Sequence, residues 1–187
     1  MTDNNNIIIS RSNVTYVGLT FIGLFLSNIL NAGGVLTNKA GIDYYAEAHL
    51  SNWNSWMHTI GMPFTFYGIS CWVPALCSMM RIISNQNRNK MQLATWYVYA
   101  LHYMSIDFKR GLFCIAFYLY PSYRAYTKTQ YTKSNFKLFL HGFLISFVSL
   151  AFQEFAGHYL GGDIPSRTEG VFNAILYAVL YSSYHIV

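Results

Sequence analysis

The chain has 187 residues, of which 53% are hydrophobic and 18% aromatic, and only 10% carry charge. A water-soluble domain is about 25% charged, so these charges are too few to cover a solvated surface. The net charge of +5 is dispersed through short polar segments, which suits loops beside anionic lipid headgroups and argues against nucleic-acid binding.

Charge-free stretches mark the predicted membrane segments. From Ser12 to Asn38 no residue is charged, and Val14–Leu36 is mostly apolar; about 20 such residues cross the hydrocarbon core as a helix. The polar start, Met1–Asn6, and the length of this run argue against a cleavable signal peptide. A second stretch runs from about Ile60 to Met80. Gln92–Ile106 and Gly111–Tyr120 are interrupted by Asp107, Lys109 and Arg110, which predicts a hairpin or a broken helix. A fourth region covers Leu138 to about Ala156, and Val171–Val187 is again free of charge. None of these runs alternates strictly with period two, so helices are expected. The expected fold is an all-α polytopic transmembrane helical bundle of about five to six membrane segments. It forms a single domain over residues 1–187, with no low-complexity linker to divide it. Cys71, Cys77 and Cys114 fall inside apolar stretches and read as small packing residues. Trp53, Trp56, Trp72 and Trp96 read as interfacial belt residues near span ends.

Two basic segments contain no Asp or Glu. Arg81–Lys90 carries Arg81, Arg88 and Lys90, and Pro121–Lys137 carries Arg124, Lys128, Lys133 and Lys137. The positive-inside rule puts both in the cytoplasm, so the region between them enters the membrane and returns. Thr37–Thr59 and Gly157–Gly170 then share the opposite side, and they hold the candidate chemistry. His49 and His58 lie in a polar, aromatic stretch leading into an apolar span, and Glu154 and His158 stand four residues apart, on one face of a continuing helix. Ionisable groups at membrane depth are costly and usually functional, and imidazole with carboxylate suits iron, zinc or copper. The competing reading is interfacial histidines that bond headgroups or carbonyls, with Glu154 paired to a loop arginine such as Arg167. His49 and His58 are nearly opposite on one helix at about 100° per residue. They can share a metal only if the chain breaks between them, and Ser51–Ser55, rich in Ser and Asn, offers the break.

The spacing Tyr45-x3-His49-x4-Asn54-x3-His58-x4-Pro63, followed by Glu154-Phe155-Ala156-Gly157-His158 at the end of a span, resembles two signatures of the fungal 2-hydroxy-palmitic acid dioxygenase-like family of small multi-pass membrane proteins. Glu154 stands where that family has Gln, and Gln153 restores the match with a one-residue shift. The downstream Gly161-Gly162-Asp163-Ile164-Pro165 lacks the family's Phe-Glu pair, with Asp163 the nearest acidic substitute. The resemblance covers about residue 44 to the end; residues 1–43 form an extra N-terminal segment with its own span. It implies an endoplasmic-reticulum-type membrane protein that uses Fe(II) and O2 to shorten a long-chain 2-hydroxy fatty acid by one carbon, an α-oxidation step in sphingoid base breakdown. His49, His58 and His158 are then the expected metal ligands. Glu154 or Asp163 supplies a carboxylate or fixes an imidazole tautomer. Asn54 bonds a ligand or the substrate, or caps a helix beginning near Ser55. Tyr45 donates to bound oxygen or anchors at the interface, and Gly157 and Pro63 shape the backbone. His102, His141 and His185 are expected outside the site. The alternatives are a non-catalytic membrane scaffold or lipid-binding protein of the same fold, and a di-iron lipid enzyme, which six histidines without an HxxHH box do not support.

Overall fold

The computed structural model describes residues 43, 45–47, 49–163, 177, 180, 181 and 183, and every regular element among them is helical. Helix α1 (Asn52–Met79) is followed by a 3-10 turn (Asn85–Asn87), then α2 (Arg88–Ile106), α3 (Phe108–Tyr131) and α4 (Asn135–Phe152). A π-helical segment, Gln153–Tyr159, extends α4. The expected spans Val14–Leu36 and Val171–Val187 lie outside the described residues, apart from four positions of the latter. Among the described helices two are long and apolar enough to cross a membrane, Asn52–Met79 and Asn135–Tyr159. Pro63 and Pro74 sit inside α1 without ending it.

Among the described helices these two form the most extensive interface, and their sidedness inverts the rule for soluble proteins. The buried face of α4 carries Gly142, Ser146 and Ser149 beside Leu138, while Phe143, Leu144, Phe147 and Val148 are exposed. In α1 the buried set includes Ser55, Thr59, Gly61, Thr65, Gly68 and Ser70, while Trp53, Trp56, Ile60 and Phe64 face outward. Small and polar residues inside with large apolar residues outside is how helices pack when the solvent is hydrocarbon. Gly68 and Gly142 mark the closest approach. A Cβ on Gly68 would meet the Gly142 carbonyl at 2.5 Å, and one on Gly142 would meet the Gly68 carbonyl at 2.6 Å.

The expected hairpin is present. Asp107 turns α2 into α3, capping α3 by accepting from the Arg110 N–H (2.9 Å) and pairing with its guanidinium (3.3 Å). The basic stretch from Pro121 is not a loop, however. Helix α3 runs through Pro121 to Tyr131, so only the residues around Thr132–Ser134 are non-helical. Arg88, almost fully buried, ties the two basic segments together by donating to the carbonyls of Asn85 (3.1 Å) and Thr132 (2.6 Å) and to Asn135 Oδ1 (2.8 Å). The end of α1, the start of α2, the end of α3 and the start of α4 therefore meet at one end. The alternating chain puts the start of α1 and the end of α4 at the other.

Between α1, α2 and α3 the core is aromatic, with Tyr45, Trp96, Tyr103 and Tyr118 buried and Phe66 against them. Trp96 is thus a core residue in edge contact with Phe66 (5.7 Å between centroids), which corrects its assignment to an interfacial belt. The cysteines are free, Cys71 and Cys114 fully buried, as their apolar settings suggest.

Candidate metal centre

Three imidazoles converge where α1 begins and α4 ends. His49 lies just before α1, His58 on its buried face and His158 in the π segment. All three are at least 96% buried, and one ligand nitrogen from each lies within 4.8 Å of the others. The break this requires is Ser51. Its hydroxyl caps α1 by accepting from the Asn54 N–H (3.1 Å), so His49 is off the helix that carries His58. Asn54 is therefore not the cap expected near Ser55; it sits inside the first turn of α1, fully buried.

The π segment decides which residues of α4 face the cluster. A π-turn closes i to i+5 and is about one residue wider than an α-turn. Gln153 and His158, five apart, are both buried, and Glu154 is exposed. Glu154 joins neither the imidazoles nor any other group of potential ligands among the described residues, which corrects its assignment as a site carboxylate. Gly157 in the same segment lets the backbone pass close to α1, since a Cβ there would meet Asn54 Oδ1 at 2.5 Å and the His58 ring at 3.4 Å.

Each imidazole has its own support. His49 Nδ1–H donates to the Tyr45 carbonyl (2.7 Å); a carbonyl can only accept, so the lone pair falls on Nε2. His158 Nδ1 lies 3.3 Å from Asn54 Nδ2, which also donates to Asp163 Oδ2 (2.9 Å). Asp163 accepts from the Ser51 N–H and hydroxyl as well, both at 3.1 Å. It is thus a supporting carboxylate that reaches His158 through Asn54, and it lies outside the ligand group. Partial burial pushes the Asp163 carboxyl up, but the donors on Ser51 and Asn54 and the nearby His158 outweigh this and hold it below its ordinary value. Tyr45 stacks on His49 (3.8 Å, 17°) and meets His58 edge-on (6.2 Å). Its buried hydroxyl has no hydrogen-bond partner among the described residues, and burial pushes the phenol well above its ordinary range.

His58 Nε2 and His158 Nε2 are 3.2 Å apart. Two imidazole nitrogens about 2.0–2.1 Å from one ion are about 3.0 Å apart at a right angle and roughly 3.4 Å apart at a tetrahedral one. The spacing already present lies between these values, so the triad can hold a metal ion. His141 stands apart, its Nε2 3.0 Å from the Tyr67 hydroxyl. The side chain of His102, and all of His185, lie outside the described residues. The inward placement of Gln153 was not foreseen; its signal was its place in a small and polar stripe, Gly142, Ser146, Ser149, Gln153, along α4. No family model matches the chain, and no match is found among curated proteins or solved structures.

Proposed function

We propose that the chain is a membrane-embedded oxygenase of an endoplasmic-reticulum-type membrane that shortens a long-chain 2-hydroxy fatty acid by one carbon, with iron(II) held by His49, His58 and His158. The observation that carries this reading is the convergence of three buried imidazoles from the two motifs that resemble the dioxygenase family. When bound, the iron supplies a place where O2 and an α-hydroxycarboxylate meet, and a ligand set of neutral imidazoles leaves positions for both. The overall reaction balances without a further reductant: R–CH(OH)–COOH and O2 give R–COOH, CO2 and H2O. The substrate yields the four electrons that O2 takes up.

The rest of the chain suits such a substrate. The exposed faces of α1 and α4 are apolar, and between them lies a groove of about 550 Å³ formed by Ile60, Phe64, Leu144, Val148 and Phe152 above Ser149. Gly61 also lines it, one turn from His58. An alkyl tail buried there contributes about 0.8 kcal/mol per CH2. Tyr45 packs its ring against His49 and His58, with its buried hydroxyl free of any partner among the described residues. Asp163 and Asn54 hold His158 in place.

A second reading has one observation in its favour. With Glu154 turned outward, no carboxylate joins the three imidazoles among the described residues, which fits a scaffold that has kept the fold and lost the reaction. Purified protein, loaded anaerobically with iron(II) and given O2 and a long-chain 2-hydroxy acid, separates the two. The oxygenase binds about one iron per chain and yields the acid one carbon shorter by mass spectrometry. Folded, iron-loaded protein that forms no shortened acid, or protein that binds no iron, refutes it.

A further inference from the structure

A buried polar run lies beneath the triad, and nothing in the ligand assignment uses it. Gln153 Nε2 donates to Thr65 Oγ1 (2.9 Å), to the Ser149 carbonyl (3.1 Å) and to Ser149 Oγ (3.2 Å). Thr65 Oγ1 donates in turn to Ser149 Oγ (3.0 Å), which donates to the Gly61 carbonyl (2.7 Å). The run has one direction, because it ends on carbonyls that can only accept. The Ser149 carbonyl also fixes the amide, since turning it over would set oxygen against oxygen. Gln153 Oε1 must therefore occupy the other end of the side chain.

That oxygen is buried and has no hydrogen-bond partner among the described residues, and the same is true of His58 Nδ1. The two groups are complementary and belong to neighbouring side chains. His58 stands one turn before Gly61, against which the Gln153 side chain packs, although Oε1 and Nδ1 are not hydrogen-bonded to each other. Buried polar atoms left unpaired are costly, so pairing them is favourable. The π segment and Gly61 make the arrangement possible. The first turns Gln153 rather than Glu154 inward. The second leaves room, because a Cβ at residue 61 would meet Gln153 Cγ at 2.5 Å.

We propose that Gln153 is a positioning residue of the metal centre: its Oε1 accepts the Nδ1–H of His58, which keeps the lone pair on the Nε2 that faces His158. A metal-binding histidine commonly has its second nitrogen fixed by an acceptor of this kind, and removing the acceptor costs about 10–100-fold in metal affinity. The proposal rests on the triad being a metal site and is independent of the reaction performed there.

Zinc(II) is a suitable probe, because it is diamagnetic and needs no turnover. In full-length protein in lipid nanodiscs, with 15N-labelled histidine, the His58 resonance should show the proton on Nδ1 with and without zinc. Gln153→Met keeps the bulk of the side chain and removes the acceptor. It should give a mixture of His58 tautomers and weaken zinc binding 10–100-fold. Gln153→Glu should recover affinity to within a few-fold, since a neutral acid presents O–H to Ser149 and C=O to His58. A wild-type His58 protonated on Nε2 overturns the proposal without reference to any variant. So does Gln153→Met with unchanged zinc affinity while His49→Ala loses zinc. Wild-type protein that binds no zinc and no iron refutes instead the metal reading on which the proposal stands.

Discussion

Gly157→Ala tests the geometry of the centre without removing any functional group. The added Cβ would lie 2.5 Å from Asn54 Oδ1, 0.9 Å short of ordinary contact (3.4 less 2.5 Å). Neither partner can give way without loss. Asn54 is fully buried, and its Nδ2 is tied to Asp163 at 2.9 Å and lies 3.3 Å from His158 Nδ1. Moving the amide breaks one hydrogen bond to a carboxylate and one to a neutral ring, together about 2–4 kcal/mol. For a chain of this size about 1 kcal/mol corresponds to roughly 2–4 °C, so the variant should melt about 5–15 °C lower. With His158 no longer held, metal affinity should fall by about 10–100-fold. Gly162→Ala is the control. Gly162 has φ of 75°, and a Cβ there meets nothing within 4 Å, so the cost is left-handed strain of about 1–2 kcal/mol with metal affinity intact. Thermal melting and titration with zinc(II) in the same detergent measure both. A Gly157→Ala protein with wild-type affinity refutes the claim that Asn54 connects the carboxylate to His158, whatever its melting temperature.

Other outcomes follow from the same contacts. His49→Ala, His58→Ala and His158→Ala should each abolish bound iron by elemental analysis, while His141→Ala, which removes a partner of Tyr67, should keep it. Cysteines placed at Asn87 and Asn135 should label from the same side of the membrane, because Arg88 bridges the Asn85 and Asn135 segments; opposite-side labelling contradicts the hairpin. The folded-state pKa of Asp163 is depressed below its ordinary value of 3.8. Its stabilisation is therefore complete above pH 3.8 and is lost only as pH falls below that. Asp163→Ala should lose the acid-dependent part of the melting curve while lowering stability at neutral pH.

Much of this architecture is legible in the sequence, and the misses have physical causes. The charge gaps locate α1 and α4 because a helix able to cross a membrane must be apolar over its length, and Asp107, Lys109 and Arg110 mark the α2–α3 turn because they interrupt the apolar run there. His49, His58 and His158 are legible as a set because their spacing demands a break, and Ser51 supplies it within the predicted stretch. The Glu154 error comes from assuming regular α-geometry. That assumption pairs Glu154 with His158 at i, i+4, whereas the π segment pairs His158 with Gln153 at i, i+5. The expected start of α1 is also three residues late, and so Asn54 reads as a cap. Which face of each long helix is buried is left unassigned by the charge gaps. Here Gly61, Thr65 and Gly68 on α1 pack against Gly142, Ser146 and Ser149 on α4, and small-residue stripes carry that information.

The behaviour of the centre on removing metal can be worked out from its hydrogen bonds. Asp163 accepts from Asn54 Nδ2, so the amide presents N–H, not oxygen, to His158 Nδ1. His158 Nδ1 then accepts, its proton resides on Nε2, and that N–H donates across the 3.2 Å gap to His58 Nε2. His58 and His158 are thus paired with each other when metal is absent, and chelation should leave the protein folded, with unchanged far-ultraviolet circular dichroism. The metal adds only its binding free energy, about 2.7 kcal/mol when present at 100 times its Kd, or roughly 5–10 °C in Tm. Unfolding on chelation would show that the imidazoles cannot satisfy one another.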